Sequence, residues 1–164
     1  MEDFERRVTE CIPRLRRYAR VLTGDSTAAD DLVQDTLERA WSRLRLWRPG
    51  SDLRAWLFTI MHNVHVNGVR RRRPERAGEP FDIAIGGTQE QRLELRDVTR
   101  ALARLPPEYR EVLLLVAVEE MPYAQAAAVL DVPLGTVMSR LSRARAQLLN
   151  LTNGDTTPGL RRVK

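Results

Sequence analysis

A single cysteine, Cys11, excludes an internal disulfide framework. One thiol also cannot anchor a zinc site alone, and Cys11 is expected to be a small buried filler. Aromatic residues are scarce, at 5% of 164 residues. A core so poor in aromatics must be built from Leu, Val, Ala and Ile, which favours helices over sheets. No apolar run approaches the roughly 20 residues that cross a bilayer. The charged start, Met1-Glu2-Asp3-Phe4-Glu5-Arg6-Arg7, has no apolar segment behind it and does not read as a signal peptide. A cytoplasmic protein without membrane insertion is the expectation. Also missing are a Gly-rich phosphate loop, a nucleophile–base set and a dedicated carboxylate pair. No enzyme and no cofactor is therefore expected. The two histidines, His62 and His65, have a spacing that permits a metal, but no second ligand set lies near them in sequence, so none is expected.

What is present is charge, and it is segregated. Lys and Arg number 27 against 22 Asp and Glu, a formal net charge of +5 that suggests nucleic acid or an acidic partner. From Asp25 to Glu38 the charged residues are Asp25, Asp30, Asp31, Asp35 and Glu38, with no Lys or Arg among them. Arg70 to Arg73 are consecutive arginines. The last third carries Arg140, Arg143 and Arg145, then Arg161, Arg162 and Lys164. An acidic helix, a basic helix end and a second basic helix imply more than one partner surface.

Periodicity points to an all-α chain with two small helical domains joined by a flexible linker. Val8, Ile12, Leu15, Ala19 and Leu22 mark a first helix ending at Thr23-Gly24. A second helix starts near Ser26-Thr27, with Asp30 and Asp31 set against its N-terminal dipole, and Arg48-Pro49-Gly50 breaks it. A third runs from Asp52 to the arginine run. Trp41 and Trp56 fall in apolar stripes and are expected in the core; Trp47 is expected to be the exposed tryptophan. Pro74 to Thr88, with its Pro and Gly, reads as a linker. Helical pattern resumes near Gln91, stops at Pro106-Pro107, and restarts over Glu108–Val118. Helices over Tyr123–Leu130 and Thr136 to about Leu149 follow, and residues after Leu151 are expected to fray. The resulting division is 1–73, a linker over 74–90, a second domain over 91–150 and a tail over 151–164.

Met121 to Leu148 carries the sharper signal. A short Ala-rich helix, Tyr123 to Leu130, lets a neighbour approach closely. The tight Asp131-Val132-Pro133-Leu134-Gly135 connection and Thr136, read as an N-cap, complete the pattern of a helix-turn-helix. On the second helix Val137, Leu141, Ala144 and Leu148 share a face that should be buried. Ser139, Ser142 and Arg143 lie opposite, flanked by Arg140 and Arg145. Arginine pairs bidentately with guanine edges, and serine or arginine holds phosphates. In the first half, Asn63 and Asn67 are placed to read unstacked bases, and Arg70 and Arg71 form a cationic tip suited to phosphates.

These residues resemble a known family. Ala29-Asp30-Asp31-Leu32-Val33-Gln34-Asp35-Thr36-Leu37-Glu38-Arg39-Ala40-Trp41 is similar to region 2.2 of extracytoplasmic-function (ECF) sigma factors. Asp52 to Ile60, continuing into the arginine run, looks like regions 2.3 and 2.4. Leu105 to Val112 and Gly135 to Arg145 look like region 4. Arg48 to Ile60 also resembles the general-stress-response branch of this group.

The resemblance implies a transcription initiation factor that binds RNA polymerase core and promoter DNA. It places Asp30, Asp31, Leu32, Gln34 and Asp35 on the clamp of the largest subunit, with carboxylates meeting basic residues. It places Arg48, Ser51, Asp52, Trp56, Asn63, Asn67, Arg70 and Arg71 along the melted minus-ten strand, with a flipped base near Arg48 to Asp52. The minus-35 element falls to Thr136, Ser139, Arg140, Ser142, Arg143 and Arg145, while the outer surface of region 4 meets the polymerase flap. It further implies an anti-sigma factor that wedges between the two domains. The rival readings are a sigma-like decoy that captures an anti-sigma factor without binding promoters, and a helix-turn-helix repressor with Met1 to Arg73 as a sensing domain.

Overall fold

A computed structural model describes residues 1–71 and 87–155; of residues 69–71 and 155 only the backbone is described. The linker expected from Pro74 therefore lies outside the described residues except for Gly87 and Thr88, as do the Arg70 and Arg71 side chains and most of the tail.

The described residues form seven α-helices and no strand. They are α1 (Glu2–Thr23), α2 (Ser26–Ser42), α3 (Leu53–Arg71), α4 (Gln89–Arg104), α5 (Pro107–Leu113), α6 (Tyr123–Leu130) and α7 (Leu134–Asp155). A 3₁₀ turn, Leu44–Leu46, follows α2, and a π-helical turn, Leu114–Val118, extends α5.

Local chemistry explains the boundaries. Gly24 ends α1 in the left-handed conformation (φ 69°), its N–H returning to the Arg20 carbonyl at 2.9 Å. Asp25 caps α2, its carboxylate accepting the Ala28 N–H at 2.9 Å. This corrects the dipole reading of Asp30 and Asp31: both lie beyond the first turn, and Asp25 performs that role. Asp52 accepts the Ala55 N–H at 3.1 Å and starts α3. Thr88 and Gln91 form a reciprocal capping box, so α4 opens two residues before the expected Gln91. Pro107 is the first residue of α5, where its missing N–H costs nothing.

At the other end of the chain, α7 begins at Leu134, not at Thr136. Pro133 supplies the turn, and Thr136 is a half-buried residue of the first turn instead of the cap. The helix also runs past Leu151 to Asp155, where fraying was expected.

Three helices, α1, α2 and α3, pack on one another and bury Phe4, Leu15, Leu22, Val33, Leu57 and Phe58 among others. Helices α4 to α7 pack around α7 and bury Leu105, Val112, Leu115, Val129, Val137 and Leu141. Each such side chain contributes about 1.5–3 kcal/mol when fully withdrawn from water. The two groups also meet: α3 lies on α6, and α1 on α4 and α5, so their buried residues form one continuous apolar cluster.

Two tryptophans depart from expectation. Trp41 is 51% exposed, and Trp47 is half-buried against the core. The cause is the 3₁₀ turn, which swings the chain after Ser42 so that Trp47 returns onto Phe4, with ring centroids 5.3 Å apart and the Arg7 guanidinium 5.5 Å above the indole. Trp41 meets only the edge of the same cluster, 6.0 Å from Phe4. Cys11 is half-buried, and burial raises its thiol above the ordinary value, offset in part by Arg14, Arg54 and Arg7.

Candidate nucleic-acid interface

The acidic helix presents a continuous face. Asp30, Asp31, Gln34, Asp35 and Glu38 on α2 are exposed, and Gln34 donates to Glu38 at 3.2 Å one turn on. None of the ion pairs among the described residues engages Asp30, Asp31 or Asp35. Leu32 does not belong to that face. It is only 6% exposed, its carbonyl accepts from the buried Thr36 hydroxyl at 2.7 Å, and it packs inward with Val33 and Ala29. As a contact for a partner it is withdrawn, because the helix period that exposes residues 31, 34, 35 and 38 turns residues 29, 32, 33 and 36 to the core.

The loop before α3 is exposed from Arg48 to Asp52, with Gly50 at φ 91°. Ser51 folds back, its hydroxyl donating to the Arg48 carbonyl at 2.7 Å. Trp56 is half-buried with its ring 6.5 Å from Phe4, while Asn63 and Asn67 are exposed farther along α3. Asp52 has a second partner besides Ala55: the Gln125 side-chain amide on α6 donates to it at 2.8 Å. Burial alone would raise this carboxyl, but the Ala55 N–H, Gln125 and Arg54 hold it below the ordinary carboxylate range.

The turn between α6 and α7 is tight for a physical reason. Asp131 takes the left-handed conformation (φ 53°, ψ 50°), which aspartate tolerates better than most residues. The Val132 N–H then closes on the Ala127 carbonyl at 3.1 Å, and Val132 packs on the core. This sets α7 against α5 and α6 with Val137, Leu141 and Ala144 fully inside and Leu148 partly so. Ser139, Ser142, Arg143 and Arg145 point to solvent, and Thr136 and Arg140 flank them half-buried. The second helix of a helix-turn-helix thus offers a cationic, hydroxyl-bearing face of the kind that enters a major groove.

Sequence reasoning missed the polar contacts joining the two helical groups. Arg110 on α5 donates four hydrogen bonds to carbonyls: Nε to Leu102 at 2.9 Å, Nη2 to Ala103 at 2.8 Å and Leu105 at 2.9 Å, and Nη1 across to Leu22 at 2.9 Å. One guanidinium thereby satisfies carbonyls at the C-terminal ends of both α1 and α4, where a cation is electrostatically favoured. Beside it, Glu111 is buried. An ionised carboxylate only accepts, so His62 Nδ1 donates to its Oε1 at 2.8 Å and the Tyr18 hydroxyl at 3.4 Å. Burial, then the Glu111 carboxylate, push the Tyr18 hydroxyl well above its ordinary value. His62 is thus occupied by a carboxylate from α5, and burial lowers the pKa of its neighbour His65.

Glu119, after the π turn, is 2% exposed. Its carbonyl accepts from Arg54 Nη1 at 2.7 Å, and its Oε2 stands 3.6 Å from Arg14 and 3.9 Å from Arg54, too far for a hydrogen bond. Burial raises its pKa despite Arg14, Arg17 and Arg54. One signal for Glu111 was available. It lies one helical turn before Leu115, which is fully buried, and so heads a core-facing row.

Comparison with known proteins agrees with this architecture. Residues 8–62 match the family described as the Sigma2 domain of PhyR, and residues 95–148 match Sigma-70, region 4. The ECF RNA polymerase sigma factor EcfG of Rhodopseudomonas palustris is 40% identical over 147 residues, covering 86% of this chain and 80% of that protein. Among solved structures, RpoE of Bartonella quintana in complex with the anti-sigma factor NepR has a TM-score of 0.80 at 35% identity, covering 94% of this chain and 99% of that one. CnrH in complex with the cytosolic domain of CnrY has a TM-score of 0.70 at 35% identity, over 93% of this chain and 89% of that one. With both helical groups aligned in order to relatives of this identity, the chain belongs to the ECF family of RNA polymerase sigma factors.

Proposed function

We propose that this sigma factor meets RNA polymerase core through the exposed acidic face Asp30, Asp31, Gln34 and Asp35 of α2. It reads the minus-35 element through Ser139, Arg140, Ser142, Arg143 and Arg145 of α7, with Thr136 at the edge of that face. The loop and helix bearing Arg48, Ser51, Asp52, Trp56, Asn63, Asn67, Arg70 and Arg71 track the melted minus-ten strand. The observation that carries this reading is the separation of an uncompensated acidic face on α2 from a cationic face on α7. A protein of one partner has no use for two such surfaces. The domains are assigned to 1–73 and 91–150, and the site of action is the cytoplasm.

Of the two solved relatives, RpoE of Bartonella quintana is in complex with the anti-sigma factor NepR, and CnrH with the cytosolic domain of CnrY. We assign such a partner here as well, seated against the two helical groups. In the closed arrangement Gln125 of the helix-turn-helix holds Asp52 of the minus-ten loop. Engaging both promoter elements therefore requires the groups to separate, and a partner that favours closure inhibits.

One observation favours a second reading. The first half matches the Sigma2 domain of PhyR, and a Bartonella quintana structure described as the anti-anti-sigma factor PhyR shares the fold at 18% identity with a TM-score of 0.61. A decoy of that kind keeps the sigma surface without directing initiation. Run-off transcription with bacterial core polymerase on fragmented genomic DNA separates the two. New transcripts that share paired upstream elements establish the sigma reading. Capture of an anti-sigma factor, without transcripts from core-bound protein, establishes the decoy.

A further inference from the structure

The face of α7 that points to solvent is not purely polar. Leu134 and Met138 lie one turn apart at its start and are 47% and 52% exposed, although Val137 between them is fully buried. They continue directly into Ser142, and they adjoin the row Gly135, Ser139 and Arg143. An apolar pair is thus set at the N-terminal end of the second helix, the end whose side chains reach base edges in this motif.

Gly135 adds an independent observation. A Cβ built there meets nothing within 4 Å, and its φ lies outside the left-handed region. Neither backbone conformation nor internal crowding requires a glycine at that position. Its backbone is therefore open to close approach by a neighbour from outside the chain.

We propose that Leu134 and Met138 read thymine 5-methyl groups in the minus-35 element, with Gly135 allowing the duplex to approach closely. In the major groove each base pair shows a distinct pattern, and the thymine methyl is its one apolar feature. Arg140, Arg143 and Arg145 supply the charge complementarity that brings a polyanionic duplex onto this face. The flexible thioether of Met138 conforms to a methyl edge without demanding a hydrogen bond. The selectivity is for A·T pairs at the positions these two side chains cover. The inference rests on the minus-35 role of α7 given above.

The test replaces the thymines of the minus-35 element one at a time with deoxyuridine, which deletes only the methyl. Run-off transcription and holoenzyme binding are measured for the full-length wild-type chain, Met138→Ala and Met138→Leu. Burying one methyl is worth about fourfold in affinity. The wild type should lose about that factor at one or two thymines. At the thymine that Met138 covers, Met138→Ala should bind the thymine duplex as the wild type binds the deoxyuridine one, with no further loss on demethylation there, while the step at a thymine covered by Leu134 remains. Met138→Leu should restore the sensitivity. A wild type indifferent to every thymine-to-deoxyuridine change overturns the proposal, as does a Met138→Ala protein with undiminished methyl sensitivity or a minus-35 element without an A·T pair. Initiation that persists in those cases leaves the sigma reading standing; absence of initiation on any template removes both.

Discussion

Replacing Glu111 with alanine tests whether the two helical groups form one cooperative unit. The substitution removes the acceptor for His62 at 2.8 Å and for Tyr18 at 3.4 Å, both on the other side of the contact. Tyr18 is only 2% exposed, so its hydroxyl cannot turn to bulk water. An orphaned buried donor costs about 1–3 kcal/mol, and a hydrogen bond to a charged group contributes about 1.5–3 kcal/mol. The expected loss is about 3 kcal/mol, the upper end of the cost of orphaning a buried donor. At about 2–4 °C per kcal/mol for a chain of this size, the melting temperature should fall on the order of 10 °C. Glu111→Gln keeps an acceptor and should cost about 1 kcal/mol. The reporter is built in, because all three tryptophans, Trp41, Trp47 and Trp56, lie in the first half while Glu111 lies in the second. Tryptophan fluorescence during thermal unfolding should therefore register a substitution made in the other group. An unchanged tryptophan transition in Glu111→Ala, with a lowered transition by circular dichroism, would mean that the groups unfold independently. That result refutes the coupling.

Other expectations follow from the same geometry. Glu119 has a folded-state pKa raised above its ordinary 4.5, chiefly by burial, so the folded chain holds that proton more tightly than the unfolded chain. Its contribution to stability is full below 4.5 and is lost as pH rises through the raised value; Glu119→Gln should melt higher than the wild type at neutral pH, with the gap closing toward pH 4.5. A gap independent of pH would contradict this. Gly135→Ala should stabilise the chain by about 0.5–1 kcal/mol, since alanine is the better helix former and no atom obstructs its methyl, while weakening promoter binding in a duplex titration. Arg143→Ala should cost about 1–3 kcal/mol in promoter affinity and relax preference at one base pair if it contacts a base, or flatten the salt dependence if it contacts phosphate. Asp31→Lys combined with Asp35→Lys should lower core affinity in a pull-down without changing stability by more than about 0.5 kcal/mol, because both side chains are exposed.

The helices and the helix-turn-helix were legible because their signals are local. Periodic apolar residues, Gly24, Pro107 and the Asp131–Gly135 turn act within a few residues of themselves. Misassignments arose where two nearby residues compete for the same helix-terminal role. Asp25 caps α2 in place of the dipole role given to Asp30 and Asp31, and Pro133 starts α7 before Thr136. Leu32 shows a different difficulty. The family motif marks it as conspicuous, but the helix period assigns it to the core, and the period decides. Trp41 and Trp47 exchanged places because a 3₁₀ turn of three residues redirected the chain, and no periodicity encodes such a turn.

The contacts between the groups were illegible for a deeper reason: they pair residues 49 to 93 positions apart. Their chemistry nonetheless bears on function. An obligate interface is mainly apolar, whereas this one adds a guanidinium on the carbonyl ends of two helices, a carboxylate shared by His62 and Tyr18, and the Asp52–Gln125 bond to its continuous apolar cluster. Water can replace such polar partners when the groups part, at a net cost near 1 kcal/mol for each hydrogen bond, whereas it cannot replace buried Leu contacts. The polar pairs therefore fix the register of the closed arrangement, and each adds about 1 kcal/mol to the cost of opening. Under the proposed minus-ten role, Asp52 is where the two states compete: Gln125 of α6 holds it in the closed arrangement, and promoter binding through the loop before α3 would break that bond. Gln125→Ala should accordingly raise initiation in the absence of any inhibitor. A variant no more active than the wild type would place the cost of opening in the apolar contacts instead.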